Sequence, residues 1–176
     1  MSHINVEIKA RCANPQRIRD LLLACKAEFR GTDRQIDTYF RTTRGRLKLR
    51  EGRIENALIH YQREDQPSPK QSNVTLFPLV PGSPLKDLLT AALGVLVVVA
   101  KQREIYFIEN VKFHLDVVDG LGSFVEIEAI DLDGALGKDT LLEQCQSFLQ
   151  LFEIPPHDLV ALSYSDLLLA RQHATP

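Results

Sequence analysis

A chain of 176 residues, 44% hydrophobic and 25% charged, carries enough apolar side chain to bury a core without metal or disulfide staples, which excludes a disordered or fibrous protein. With 21 Lys and Arg against 23 Asp and Glu, the net charge of -2 argues against a nucleic-acid binder, which is normally basic overall. Cys12, Cys25 and Cys145, without CxxC spacing and each in an apolar-periodic segment, read as reduced, mostly buried thiols.

Residues 4–12 spell the first strand: Ile4, Val6, Ile8 and Ala10 alternate with Asn5, Glu7, Lys9 and Arg11, and no export leader is expected ahead of them. Asn14-Pro15 opens a helix with one apolar stripe, Ile18, Leu21, Leu22 and Cys25. Strands are predicted over 35–42, 45–51 and 56–65, separated by short turns at 42–44 and 52–55. Residues 66–72, rich in Pro and Ser, read as a mobile loop, with a strand at 72–79 behind it. A second helix starts at Ser83-Pro84, carries Leu85, Leu88, Leu89, Ala92 and Leu93, and stops at Gly94. The longest apolar stretch, 88–100, is broken by Thr90 and Gly94 and falls short of the about 20 residues that cross a bilayer. A cytoplasmic protein with no membrane or nucleic-acid partner is therefore expected.

Three further strands follow at 95–108, 111–119 and 122–131, joined by turns tight enough for antiparallel pairing. The third helix is predicted from Thr140, where Thr140 and Glu143 have capping-box spacing, with Leu141, Leu142, Cys145, Phe148, Leu149 and Phe152 facing inward; Pro155-Pro156 ends it. A short last helix includes 167–169. The expectation is one α+β domain over 1–172, an about eight-stranded antiparallel β-barrel or tunnel with amphipathic helices packed outside, and a frayed tail at 173–176.

Charge follows the strand period. Glu7, Lys9 and Arg11 share one face; so do Arg46, Lys48 and Arg50, then Tyr61, Arg63 and Asp65, Lys101 with Arg103, His114 with Asp116, and Glu126 with Glu128. A solvated sheet face would mix in Thr, Ser and Gln, whereas these faces pair Arg and Lys in several strands and carboxylates in another. Curled inward, they line a cavity dense in both signs, tolerable only if its occupants neutralise it. Converging guanidinium and ammonium groups suit a phosphate chain, and clustered carboxylates without Cys or paired His suit Mg²⁺ or Mn²⁺. No P-loop or GxGxxG motif is present, and the five His (3, 60, 114, 157 and 173) have no metal-ligand spacing. His114, alone on the charged face, reads as structural.

The same residues carry a resemblance. Asn5-Val6-Glu7-Ile8-Lys9-Ala10, Asp37-Thr38-Tyr39-Phe40, Arg46-Leu47-Lys48-Leu49-Arg50-Glu51, Tyr61-Gln62-Arg63-Glu64-Asp65, Lys101-Gln102-Arg103-Glu104, His114-Leu115-Asp116, Leu121-Gly122-Ser123-Phe124-Val125-Glu126-Ile127-Glu128 and Ser163-Tyr164-Ser165-Asp166-Leu167-Leu168 resemble, in order, the signatures of the CYTH superfamily of CyaB-type (class IV) adenylate cyclases and thiamine triphosphatases. The resemblance implies an eight-stranded tunnel that binds triphosphates with Mg²⁺ or Mn²⁺. By position it assigns Lys9, Lys48, Arg50, Arg63, Lys101 and Arg103 to the phosphates. It assigns Glu7, Asp116, Glu126 and Glu128 to metal, and Glu7, Glu126 and Glu128 to catalysis. Two positions depart from the family pattern. Asn5 stands where the first Glu of a Glu-x-Glu-x-Lys signature is common, as in a CyaB-like subgroup, and Ala161-Leu162 stand where relatives often carry a Lys. A triphosphate phosphohydrolase, acting on tripolyphosphate, thiamine triphosphate or a nucleoside triphosphate, ranks ahead of an adenylate cyclase and of a non-catalytic triphosphate binder. The resemblance is compatible with a monomer or a homodimer.

Overall fold

Strands with one apolar and one charged face must cover the first and shelter the second, and closing the sheet on itself does both. The computed structural model of the chain describes residues 2–174. Its elements are β1 (Ser2–Arg11), α1 (Pro15–Ala24), β2 (Glu28–Phe40), β3 (Arg46–Glu51), β4 (Ala57–Arg63), β5 (Lys70–Pro78), α2 (Leu85–Leu93), β6 (Val95–Ile108), β7 (Val111–Val118), β8 (Gly122–Asp131), α3 (Gly137–Leu151), a 3₁₀ turn at Pro156–Asp158 and α4 (Tyr164–Ala174). The strands form a closed barrel in the order β1-β5-β4-β3-β2-β6-β7-β8. Every neighbouring pair is antiparallel.

The main core lies outside the barrel. Val6, Ile8, Phe113, Leu115, Val125 and Ile127 on the outer faces of β1, β7 and β8 pack against Ile18 and Leu22 of α1 and Leu141 and Cys145 of α3. Phe113 meets Phe148 and Phe152 edge-on, with ring centroids 4.7 and 5.7 Å apart. A second apolar cluster stoppers one end of the lumen: Tyr164 and Leu167, Leu168 and Leu169 of α4 pack on Val97, Val99, Val118 and Phe124. A reciprocal cap starts α4: Ser163 Oγ accepts from Asp166 N at 3.1 Å, and Asp166 Oδ2 accepts from Ser163 N at 3.3 Å.

Element boundaries depart from the sequence pattern where long-range pairing overrides it. The second strand begins at Glu28, well before 35, because its polar first half is carried by the long β6, from Glu28 opposite Phe107 onward through a bulge at Phe29/Gly31. Three of the seven residues of the expected loop 66–72 are strand, since Lys70 pairs with Glu7 and Ser72 with both Asn5 and Arg63. The third helix starts at Gly137, not Thr140: Asp131, not the Thr140 hydroxyl, anchors its start by accepting from Gly134 N at 2.8 Å and Gly137 N at 2.9 Å. Cys12 and Cys145 are buried, but Cys25 ends α1 exposed. The apolar stripe of α2 buries none of its residues. His173 belongs to α4, and residues 175–176 lie outside the described residues. No helix among the described residues is long and apolar enough to cross a membrane.

Candidate active site

Strand parity sends the charged faces inward. Glu7 and Lys9 of β1, Lys48 and Arg50 of β3, Arg63 of β4, Lys101 and Arg103 of β6, and Glu126 and Glu128 of β8 all line one cavity of about 330 Å³. Asp37, Glu55, Lys112 and His114, none of them assigned to ligand binding from the sequence, line it too. Asp116 does not border it. In barrel order β1 and β8 stand opposite β2 and β3, so the Glu7–Glu128 wall faces the Lys48–Arg50 wall.

A lumen with so many like charges would need a ligand to neutralise it if they stood unpaired. The chain instead supplies its own counter-ions. Buried Asp37 accepts from Arg50 Nε at 2.8 Å and Nη2 at 2.9 Å, from Lys101 Nζ at 2.7 Å and from Lys48 Nζ at 3.2 Å. Burial pushes the Asp37 carboxyl up, but Arg50, Lys101 and Lys48 outweigh it and hold it well below the carboxylate range. Burial pulls Lys101 down to about 7; Arg50, Arg103 and Lys48 add to the shift and Asp37 opposes it. Phosphate oxygens arriving here would favour its charged form.

Around the wall, Arg103 donates to Asp116 at 2.7 and 2.5 Å and to Glu126 at 2.7 Å. Glu126 also lies 3.1 Å from Lys9 Nζ and 3.0 Å from His114 Nδ1. Burial pushes the Glu126 carboxyl up, yet Lys9, Arg103 and His114 hold it well below its ordinary range. Arg63 pairs with Glu7. Lys70, which the sequence left in a loop, is buried and donates to the carbonyls of Gln66 at 3.3 Å, Val160 at 3.4 Å and Ala161 at 2.9 Å. Burial first, then Arg63 and Lys9, lowers it to about 7. It ties β5 to the segment that leads into α4.

Glu55 reaches into the lumen from the turn between β3 and β4. Asp33 organises that turn by accepting from Arg53 N at 2.7 Å and Glu55 N at 3.1 Å. Gly52 permits the approach, since a Cβ there would lie 2.4 Å from Asp33 Oδ2. The Glu55 carboxylate then accepts from Arg50 Nη1 and Gln35 Nε2, each at 2.9 Å, and pairs with Lys112 across the lumen. It occupies an Arg50 donor that the sequence resemblance assigns to phosphate. Glu55→Gln, which keeps the shape and removes the charge, should raise tripolyphosphate affinity about fivefold, equivalent to about 1 kcal/mol, in calorimetric titration. Unchanged or weaker binding would show that Glu55 does not compete.

The acidic residues divide by what already occupies them. Asp116, assigned to metal by the sequence resemblance, is fully buried beneath Arg103 and also accepts from Tyr164 Oη at 2.8 Å, so it positions Arg103 rather than facing a ligand. Glu126 is taken up by Lys9, Arg103 and His114. Glu128 accepts from the Asn5 amide, and Asn5 Oδ1 is buried with no partner. Glu7 stands opposite Glu128 in register and is paired with Arg63, a pair that a metal bound there would have to share. Glu7, Glu128 and Asn5 Oδ1 thus offer the hard oxygen donors that Mg²⁺ or Mn²⁺ prefers, an orphaned one among them. Among the described residues no three His, Cys, Asp or Glu side chains converge tightly enough to hold a metal unaided. A Mg²⁺-like ion, which keeps waters and takes substrate phosphate oxygens, fits such a partial set.

A closed antiparallel barrel whose lumen gathers interleaved cations and carboxylates from most of its strands is a triphosphate tunnel fold. Residues 3–164 match the CYTH domain, and the chain belongs to that family. It is similar in structure to a Pyrococcus horikoshii protein (TM-score 0.78, 22% identity, covering 93% of this chain and 98% of that one). A candidate adenylate cyclase from Vibrio parahaemolyticus superposes with a TM-score of 0.74 at 19% identity, covering 96% and 99%. A candidate adenylyl cyclase from Hippeastrum with a dominant triphosphatase activity gives 0.60 at 15%, covering 97% and 96%. No curated protein matches the sequence.

Proposed function

We propose that the chain is a metal-dependent triphosphate phosphohydrolase. The observation that carries this reading is the convergence of Lys48, Arg50, Lys101 and Arg103 on one cavity that the Glu7–Glu128 wall faces. The carboxylates nearly match the cations in number, so a bare triphosphate would meet repulsion as well as attraction. Enzymes of this family generally depend on a divalent metal, which answers that imbalance. Held by Glu7, Glu128 and Asn5, Mg²⁺ or Mn²⁺ would supply charge neutralisation at the phosphate oxygens.

The side chains do the rest. Arg50 and Arg103, each fixed by a carboxylate, present preorganised donors to the phosphate chain, while Lys48, Lys101, Lys9 and Arg63 add charge. Water attacks the terminal phosphorus in line, the bridging P–O bond breaks, and the same cations absorb the charge on the departing oxygens. Glu7 orients that water and accepts its proton; Glu126 holds Arg103 and Lys9 in place. The dominant triphosphatase activity of the Hippeastrum relative supports hydrolysis over cyclisation.

The test is purified protein with Mg²⁺ or Mn²⁺ and, in turn, ATP, tripolyphosphate and thiamine triphosphate. Released orthophosphate is the expected result. Cyclic AMP with pyrophosphate would instead establish a cyclase, and thermal stabilisation without turnover would leave a non-catalytic binder. In the same assay Glu128→Ala should raise the metal concentration for half-maximal rate at least tenfold. An unchanged metal requirement would remove Glu128 from the metal-binding set.

A further inference from the structure

Tyr164, the first residue of α4, reaches the stoppered end of the lumen on a segment that three strands hold. Val160 N donates to the Lys9 carbonyl of β1 at 2.9 Å, Lys70 of β5 donates to the Ala161 carbonyl at 2.9 Å, and Arg46 of β3 donates to Asp166 of α4 at 2.7 Å. So anchored, the Tyr164 side chain is 5% exposed and lines the cavity. Its ring meets Phe124 of β8 edge-on, with centroids 5.0 Å apart, which fixes the ring plane.

An apolar stopper needs no hydroxyl, yet this one is engaged. Tyr164 Oη donates to Asp116 Oδ2 at 2.8 Å, the same oxygen that accepts from Arg103 Nη2 at 2.5 Å. The ring is engaged as well: Lys9 Nζ lies 3.9 Å from its centroid. An ammonium group that close to an aromatic face, in a site with little water, is held by the ring quadrupole. Glu126 joins the same two cations, 3.1 Å from Lys9 Nζ and 2.7 Å from Arg103 Nη2. The contacts therefore close a circuit from Lys9 through Glu126, Arg103, Asp116 and Tyr164 back to Lys9. Each cation is fixed by two neighbours, and losing Tyr164 opens the circuit beside both. Donors fixed before the ligand arrives bind phosphate oxygens without the cost of being ordered.

We propose that Tyr164 is a positioning residue of the triphosphate site: its hydroxyl fixes Arg103 through Asp116, and its ring fixes Lys9. On this view α4 completes the phosphate-binding surface and does not merely stopper the barrel. The inference rests on the triphosphate reading above and adds to it a residue from outside the strands.

The experiment is a double-mutant cycle read by calorimetric titration of the full chain with tripolyphosphate at one Mg²⁺ concentration. Tyr164→Phe, which keeps the ring and loses the hydroxyl, should weaken binding about tenfold. In an Arg103→Ala background the same substitution should change affinity less than about twofold, because the group through which the hydroxyl acts is gone. Tyr164→Leu, which loses the ring too, should weaken binding about a further fivefold, and that extra loss should vanish in a Lys9→Ala background. If Arg103→Ala does not fold, Arg103→Met combined with Asp116→Asn serves as the background, since a buried pair replaced as a pair is usually tolerated. Full affinity in Tyr164→Phe, or an equal loss with and without Arg103, would overturn the positioning role and leave the triphosphate reading intact. Failure of the unmodified chain to bind tripolyphosphate would overturn both.

Discussion

Asp37→Asn is expected to cost about 3–5 kcal/mol of stability, the usual penalty for removing one partner from a buried ion cluster. The carboxylate faces Arg50, Lys101 and Lys48 at once and is 1% exposed, so water cannot replace it. Asn preserves the volume but leaves the three cations to repel one another. At about 2–4 °C per kcal/mol for a chain of this size, the melting temperature should fall by about 10 °C. Tripolyphosphate should recover much of that loss, and more than it adds to the unmodified protein, because its oxygens restore the missing negative charge. The pH dependence has a definite sign. A carboxylate held below its ordinary pKa contributes stability that is fully present above that value and is lost as pH falls through the folded one. The gap between parent and variant is thus full at neutral pH and narrows in acid. Equal melting temperatures at pH 7 would mean that Asp37 is not the counter-ion of this lumen.

Parity made most of the lumen legible from sequence. The strand period alone puts Lys48 and Arg50, Lys101 and Arg103, and Glu126 and Glu128 on common faces, and closing the barrel brings them together. What parity cannot supply is which charge meets which. Asp37 was in phase with Tyr39, but its partners lie on β3 and β6, and non-local pairing is not written in a local pattern. Local pattern alone therefore implies a self-repelling lumen, whereas each of its guanidinium groups has a carboxylate partner. Asp116 looked like a ligand because its engagement by Arg103 and Tyr164 is long-range. Glu55 lay in a turn, where no period exists to aim it. Lys112 shares the strand phase of His114 and lines the same cavity.

Arg50→Ala should weaken tripolyphosphate binding about 100-fold, the loss expected when two charge-assisted hydrogen bonds of about 1.5 kcal/mol each disappear. Arg50 is already bidentate on Asp37 and reaches Glu55 through Nη1, so its donors are fixed before a ligand arrives. The stability cost should be smaller than that of Asp37→Asn, because Asp37 keeps Lys48 and Lys101 when the guanidinium goes. That asymmetry separates binding from folding: one variant loses stability and is rescued by the ligand, the other loses the ligand and little stability. Arg50→Lys should recover only part of the affinity, since a point charge cannot reproduce the planar fork. Glu55→Gln moves the same equilibrium the other way, by removing the carboxylate that competes for Arg50 and Lys112. Calorimetric titration of Arg50→Ala, Arg50→Lys and Glu55→Gln, with a thermal melt of each, therefore fixes the sign at Arg50 from both directions. Wild-type affinity in Arg50→Ala would move the phosphate site elsewhere in the tunnel.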